Sequence, residues 1–171
     1  MKKILIISST TNTNLDLSRE IKNFIDSLEV KTEILSLEEF NLPLFTPTLE
    51  NEFKDKQNFP VNIEKIKNIL LNSTALIWCS PEYNGGISPI VTNTIAWISR
   101  ATNDWKEAFN NKKVLICSSS GGNGKNFVQG FKIQLSYLGS IVNEEYIIRT
   151  KRNDIDKKFF TEVLSKFCSQ I

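Results

Sequence analysis

Three apolar runs without polar alternation constrain this chain more than any other feature: Ile4-Leu5-Ile6-Ile7, Ala75-Leu76-Ile77-Trp78-Cys79 and Val114-Leu115-Ile116-Cys117. A strand with one wet face alternates apolar and polar residues, and a strand covered on both faces does not. Each run therefore predicts a central strand with helices packed on either side. Lys31 to Leu37 and Ile141 to Arg149 are weaker strand candidates. Helical spacing lies between them. Leu17, Ile21, Phe24, Ile25 and Leu28 share one face, as do Ile63, Ile66, Ile69 and Leu70. A third set is Ile87, Ile90, Val91, Thr94, Ile95 and Ile98, and a fourth Phe127, Val128, Phe131, Leu135 and Leu138. Ile155, Phe159, Val163 and Phe167 form the last. The order βαβαβαβαβα predicts an α/β domain on a parallel sheet. One domain is expected over residues 1–171. The segment from Phe40 to Pro60 holds Pro43, Pro47 and Pro60 and has no clean period, so it is expected to be a long connection that folds over the site or against a second subunit. Gly139, just past the fourth helical pattern, is expected to stop that helix.

Composition removes whole classes of function. The net charge of +2, from 21 basic and 19 acidic residues, is too near neutral for a nucleic-acid surface. No stretch approaches the roughly 20 apolar residues of a membrane span. Met1-Lys2-Lys3 followed by a short apolar run is read as the lead into a core strand rather than a signal peptide. Three distant cysteines without a CxxC pair fit reduced thiols in the cytoplasm. Cys79 and Cys117, at the ends of apolar strands, are expected to be buried and inert. Histidine is absent. That excludes a Ser-His-Asp triad, a Cys-His pair and any His-ligated metal.

Three strands end in small, polar loops: Ser8 to Asn14, Ser80 to Gly86 and Ser118 to Gly124. In a doubly wound sheet the first, third and fourth strands lie side by side, so their carboxyl ends bring these loops together at the switch point, where ligands bind. Such a crevice suits a flat ligand with an anionic tail. The first loop would take the anion at the start of a helix, where N–H groups and the helix dipole favour negative charge. Glycines in the other two let backbone groups approach a ring with no Cβ in the way.

Sharper motifs fail. Ser119-Ser120-Gly121-Gly122-Asn123-Gly124-Lys125 lacks Walker A spacing, since Ser119 stands at the first Gly and Asn126 at the Ser/Thr position. It also fails GxGxxG, since Phe127 stands at the last Gly. A cysteine phosphatase would need an arginine six residues after Cys79 or Cys117, where Gly85 and Asn123 stand. Blander readings stand beside the functional one. Tyr83 can cap a loop, Ser119 to Gly124 can be a plain turn, and Thr10 to Asn14 can cap a helix. Trp97 fits the core or a subunit interface better than a ligand contact.

Pro81-Glu82-Tyr83-Asn84-Gly85, with Ile87, Asn93, Ile95, Trp97, Ser99 and Arg100, resembles the signature of the NADPH-dependent FMN reductase family. That pattern is roughly PEYNGSIPGxLKNAIDWLSR, and residues 81–100 follow it without a gap. The resemblance implies a flavodoxin-like fold: a doubly wound five-stranded parallel sheet of order 2-1-3-4-5 with helices on both faces. It implies FMN as cofactor and NADPH or NADH as co-substrate, with hydride passed to a small-molecule acceptor. The acceptors of such enzymes are quinones, free flavin, nitro or azo compounds, or oxyanions such as chromate. It places FMN against Ser9, Thr11, Thr13 and Asn14 of the first loop, Pro81, Glu82, Tyr83, Asn84 and Gly85 of the second, and Ser119, Ser120, Gly121 and Gly122 of the third. It also implies a homodimer or homotetramer, with Ser88 to Arg100 as a candidate interface. No residue is assigned a catalytic role, because the flavin carries the chemistry. The chain departs from the family at Thr11, where arginine is usual and would pair with the phosphate, and at Asp16, where asparagine is usual. Gly86, Thr92 and Ala96 replace Ser, Lys and Asp. Two other readings remain at this level. One is a flavodoxin-type electron carrier without NAD(P)H oxidase activity, and the other a flavin-free binding module.

Overall fold

The computed structural model describes residues 3–55 and 58–171. Its centre is a parallel sheet of order β2-β1-β3-β6, continued at one edge by β7 and β8. These strands are β1 (Lys3–Ser8), β2 (Lys31–Ser36), β3 (Ala75–Cys79), β6 (Lys113–Ser120), β7 (Ile141–Val142) and β8 (Ile147–Thr150). The helices are α1 (Thr13–Asp26), α2 (Pro47–Asp55), α3 (Val61–Leu71), α4 (Pro89–Ala101), α5 (Lys125–Tyr137) and α6 (Lys157–Ser169). The doubly wound class holds, and the first four strand positions follow the expected order. The unbroken apolar runs are explained by what covers them. Leu5, Ile7, Leu76, Trp78, Val114 and Ile116 face α3, α4 and α5. Ile4, Ile6, Ala75, Ile77, Cys79, Leu115 and Cys117 face α1 and α6. Every residue of β3 is buried.

The fifth strand position differs from expectation, since it is filled by two short strands. β7 pairs with Lys113 and Val114, and β8 with Cys117 to Ser120. Asn143-Glu144-Glu145-Tyr146 loops out between them. Asn143 makes the break: its N–H donates to the Val114 carbonyl at 2.8 Å and its side-chain amide to the Glu145 carbonyl at 3.0 Å.

Two further elements were not anticipated. Asn84 and Gly85, both at positive φ (50° and 72°), make a two-residue turn between β4 (Glu82–Tyr83) and β5 (Gly86–Ile87). This is the type I′ geometry that an Asn-Gly pair favours. The connection from Phe40 to Pro60 contains α2 and is no lid over the crevice. Phe45, Phe53 and Phe59 pack on Trp97, and the Trp97 indole N–H donates to the Pro43 carbonyl at 2.7 Å. Trp97 is core. Lys56 and Gln57 of that connection lie outside the described residues.

Gly139 stops α5 as expected. Its φ is +83°, its N–H donates to the Ser136 carbonyl and the Ser140 N–H donates to the Leu135 carbonyl, which together form a Schellman closure. Cys79 and Cys117 are buried neighbours on β3 and β6, and burial pushes the Cys117 thiol well above its ordinary pKa. Among the described residues no helix is long and apolar enough to cross a membrane.

Candidate functional site

Strands β1, β3 and β6 are adjacent and parallel, so the loops that follow them open on one side of the sheet. They enclose a crevice of about 300 Å³ lined by Asn12, Thr13, Asn14, Pro81, Glu82, Tyr83, Ser119, Ser120 and Gly121, with Arg149, Thr150 and Lys151 closing the far edge. Of the residues expected to bind a ligand, Thr13, Asn14, Pro81, Glu82, Tyr83, Ser119, Ser120 and Gly121 line it. Gly122 lines an adjoining cavity. Ser9, Thr11, Asn84 and Gly85 line neither.

The side chains divide by task. Asn14 is 1% exposed and ties two loops together. Its amide N–H donates to the Ser119 carbonyl at 2.9 Å, and its amide oxygen accepts the Ser119 N–H at 2.8 Å. Ser9 does the same between the first and second loops, donating its hydroxyl to Ser80 Oγ at 2.9 Å. Glu82 reaches over to α5, where its carboxylate accepts the Phe127 N–H at 3.0 Å, and its own N–H donates to Ser120 Oγ at 3.2 Å. That carboxylate acts as a cap supplied from a distance, filling an N–H that α5 leaves open at its first turn. These residues hold the crevice in shape. Tyr83, 47% exposed, stands on the wall of the hairpin. The opposite wall is open to a ring's approach. A Cβ placed on Gly122 would meet nothing within 4 Å, and one on Gly121 only Lys151 Cε at 4.0 Å.

The first loop carries a contact that the sequence did not reveal. Glu38, just after β2, accepts both the Thr11 N–H at 2.6 Å and the Thr11 hydroxyl at 2.8 Å. Those two hydrogen bonds, side chain first, hold the Glu38 carboxyl below its ordinary pKa. A carboxylate thus occupies donors of the loop expected to receive an anion. Arg149 was also missed. It sits at the carboxyl end of the fifth strand position, and that placement is the signal that points to the crevice. Its guanidinium grips Glu20 at 2.9 and 2.6 Å and Asp154 at 2.9 Å. Glu20, ahead of Asp154, raises its pKa further above the ordinary value. Among the described residues no cluster of His, Cys, Asp or Glu could hold a metal ion.

Comparison with known proteins bears on the family and the fold. The family model for NADPH-dependent FMN reductase matches residues 1–153. An NADPH:quinone oxidoreductase of Arabidopsis thaliana is 28% identical over 78 residues, covering 46% of this chain and 38% of that protein. A probable NADPH:quinone oxidoreductase 2 of Oryza sativa subsp. japonica is 31% identical over 78 residues, covering 46% and 36%. The chain thus spans well under half the length of these two curated relatives. Among solved structures, the flavoenzyme FerB, an NAD(P)H:(acceptor) oxidoreductase of Paracoccus denitrificans, superposes with a TM-score of 0.80 at 17% identity. That match covers 99% of this chain and 96% of that one, and it speaks for the fold alone.

Proposed function

The chain belongs to the NADPH-dependent FMN reductase family, and from that premise we propose an oxidoreductase that holds FMN in this crevice and passes hydride from NAD(P)H to a small-molecule acceptor. The observation that carries the reading is the convergence of three loops on one crevice, with Gly121 leaving room on the wall that faces Tyr83. The residues present fit a flavin. Pro81 and Tyr83 offer one wall, Ser119, Ser120 and Gly121 the other, and Asn12 and Thr13 the start of α1. When bound, FMN supplies a ring that accepts and returns a hydride. The protein's share is to orient that ring and bond it through backbone groups. This is why a chain without histidine and without an acid–base pair can be an enzyme. Acceptors of this reading are quinones, free flavin, nitro or azo compounds, or oxyanions. A homodimer or homotetramer of the cytoplasm completes it. The α4 face that carries Asn93 and Trp97 is covered by the chain's own residues, so association would use another surface.

Glu38 makes the first loop a poor phosphate site until it moves. Glu38→Ala frees the Thr11 donors and removes an exposed negative charge, changes together worth about 1 kcal/mol to a phosphate held by this loop. The expected result is roughly fivefold tighter FMN binding with riboflavin unchanged, measured by flavin fluorescence quenching.

The test of the function is an anaerobic absorbance titration of the protein with FMN, then with NADPH or NADH. Protein-dependent bleaching of the flavin band supports the reductase. Bound flavin that stays oxidised points to an electron carrier, and absence of binding overturns the reading.

A further inference from the structure

The crevice does not end at Gly121. A second cavity of about 430 Å³ adjoins it, lined by Gly121, Gly122, Asn123, Thr150, Arg152 and Asn153. Gly121 and Thr150 line both, so the two form one groove. Lys151 faces the first cavity and Arg152 the second. Among the described residues, the ion pairs at this edge are those of Arg149 with Glu20 and Asp154, and neither Lys151 nor Arg152 takes part in one. The Asp154 carboxylate is further engaged by the Ile155 N–H at 2.8 Å. No carboxylate lines the second cavity. The turn that presents the two cations is fixed by its own hydrogen bonds. The Thr150 N–H donates to the Asn153 carbonyl at 3.0 Å, and Thr150 Oγ1 accepts the N–H groups of Arg152 and Asn153 at 3.3 and 3.0 Å.

Two unpaired cations on a fixed turn beside an open groove make a site for a phosphate monoester, which an arginine can grip with two parallel hydrogen bonds. Two phosphate monoesters are available to such a groove, the 2′-phosphate of NADPH and the 5′-phosphate of FMN. We propose that Lys151 and Arg152 bind the 2′-phosphate and so select NADPH over NADH. The placement favours the nucleotide. The second cavity lies beyond the glycine wall, outside the crevice between the loops, so a dinucleotide whose nicotinamide end reaches the crevice would run its other half along the groove. This rests on the proposed function for the crevice itself.

The test compares the wild type with the double variant Lys151→Ala/Arg152→Ala. Both side chains are exposed, so folding is not at stake. Loss of hydrogen bonds to a charged group is expected to raise KM for NADPH roughly tenfold or more and to leave KM for NADH within about twofold. The single variant Arg152→Ala, at a residue that lines the second cavity and not the first, should leave the Kd for FMN within about twofold as well. A second arm needs no turnover: calorimetric binding of adenosine 2′,5′-bisphosphate should weaken by a similar factor, with binding of adenosine 5′-monophosphate unchanged. Equal effects on both nucleotides, or none, would overturn the proposal. Weaker binding of FMN but not of riboflavin would assign the cations to the cofactor's phosphate and overturn it too. If the wild type oxidises neither nucleotide, the function of the crevice fails, whereas the binding arm still decides the cation site.

Discussion

Trp97→Ala is expected to destabilise the protein by about 3–5 kcal/mol, the range for removing a large aromatic from a packed core. The indole is fully buried on α4 and lies 5.0, 5.4 and 6.5 Å from the rings of Phe45, Phe53 and Phe59. It also holds the Pro43 carbonyl, which Asn93 shares at 3.0 Å. The connection depends on this anchor because α2 contributes no fully buried residue of its own. Loss of the ring should therefore loosen the connection before the sheet. Urea denaturation would give the stability, and limited proteolysis should cut first within residues 42–55. Trp97→Phe separates packing from hydrogen bonding, with an expected loss of about 1–2 kcal/mol. Unchanged stability and an unchanged cleavage pattern in Trp97→Ala would mean that the aromatic cluster does not hold the segment.

Asn14→Ala carries the second large effect, and it falls on the site. The pair of hydrogen bonds between Asn14 and Ser119 crosses the end of β3 and ties the first loop to the third. Removing the amide strands a buried N–H and a buried carbonyl, each worth about 1–3 kcal/mol when left unmade, for a total of about 2–6 kcal/mol. FMN affinity is expected to fall at least tenfold, because two walls of the crevice lose their mutual position. Asn14→Asp is the sharper variant. As a carboxylate it keeps the acceptor, loses the donor and faces the Ser119 carbonyl. Its pKa in the folded state is then raised above the unfolded value, so stability should increase as pH falls through the folded value and the protonated form regains a donor. Thermal melts at pH 5 and pH 8 would show this. A melting difference between Asn14→Asp and wild type that does not shrink at low pH would argue against the clamp.

Much of the architecture was legible in local sequence. Short unbroken apolar runs alternating with helical patterns read as strands covered on both faces, and the two buried clusters divide their residues by parity. Gly139 announced its stop because a left-handed position after an apolar helix face admits little else. The hairpin at Asn84-Gly85 was equally legible, but helical spacing from Ile87 onward drew the reading away from it. α2 was hidden because Pro43, Pro47 and Pro60 break the period around it, and its hydrophobic residues face α4 rather than a face of the sheet.

The site divides along the same line. The sequence by itself placed three small, polar loops at the carboxyl ends of three adjacent strands, because strand period and chain order are local properties. Only the tertiary structure decided which side chains hold those loops and which face the crevice. Asn14 meets Ser119 across 105 positions, Ser9 meets Ser80 across 71 and Glu38 meets Thr11 across 27. Arg149 is paired with Glu20 and Asp154, while among the described residues Lys151 and Arg152 form no ion pair. Residue type and spacing set what a side chain can do. A hydrogen bond forms only within about 3 Å, and that distance between remote positions is set by how the helices pack on the sheet.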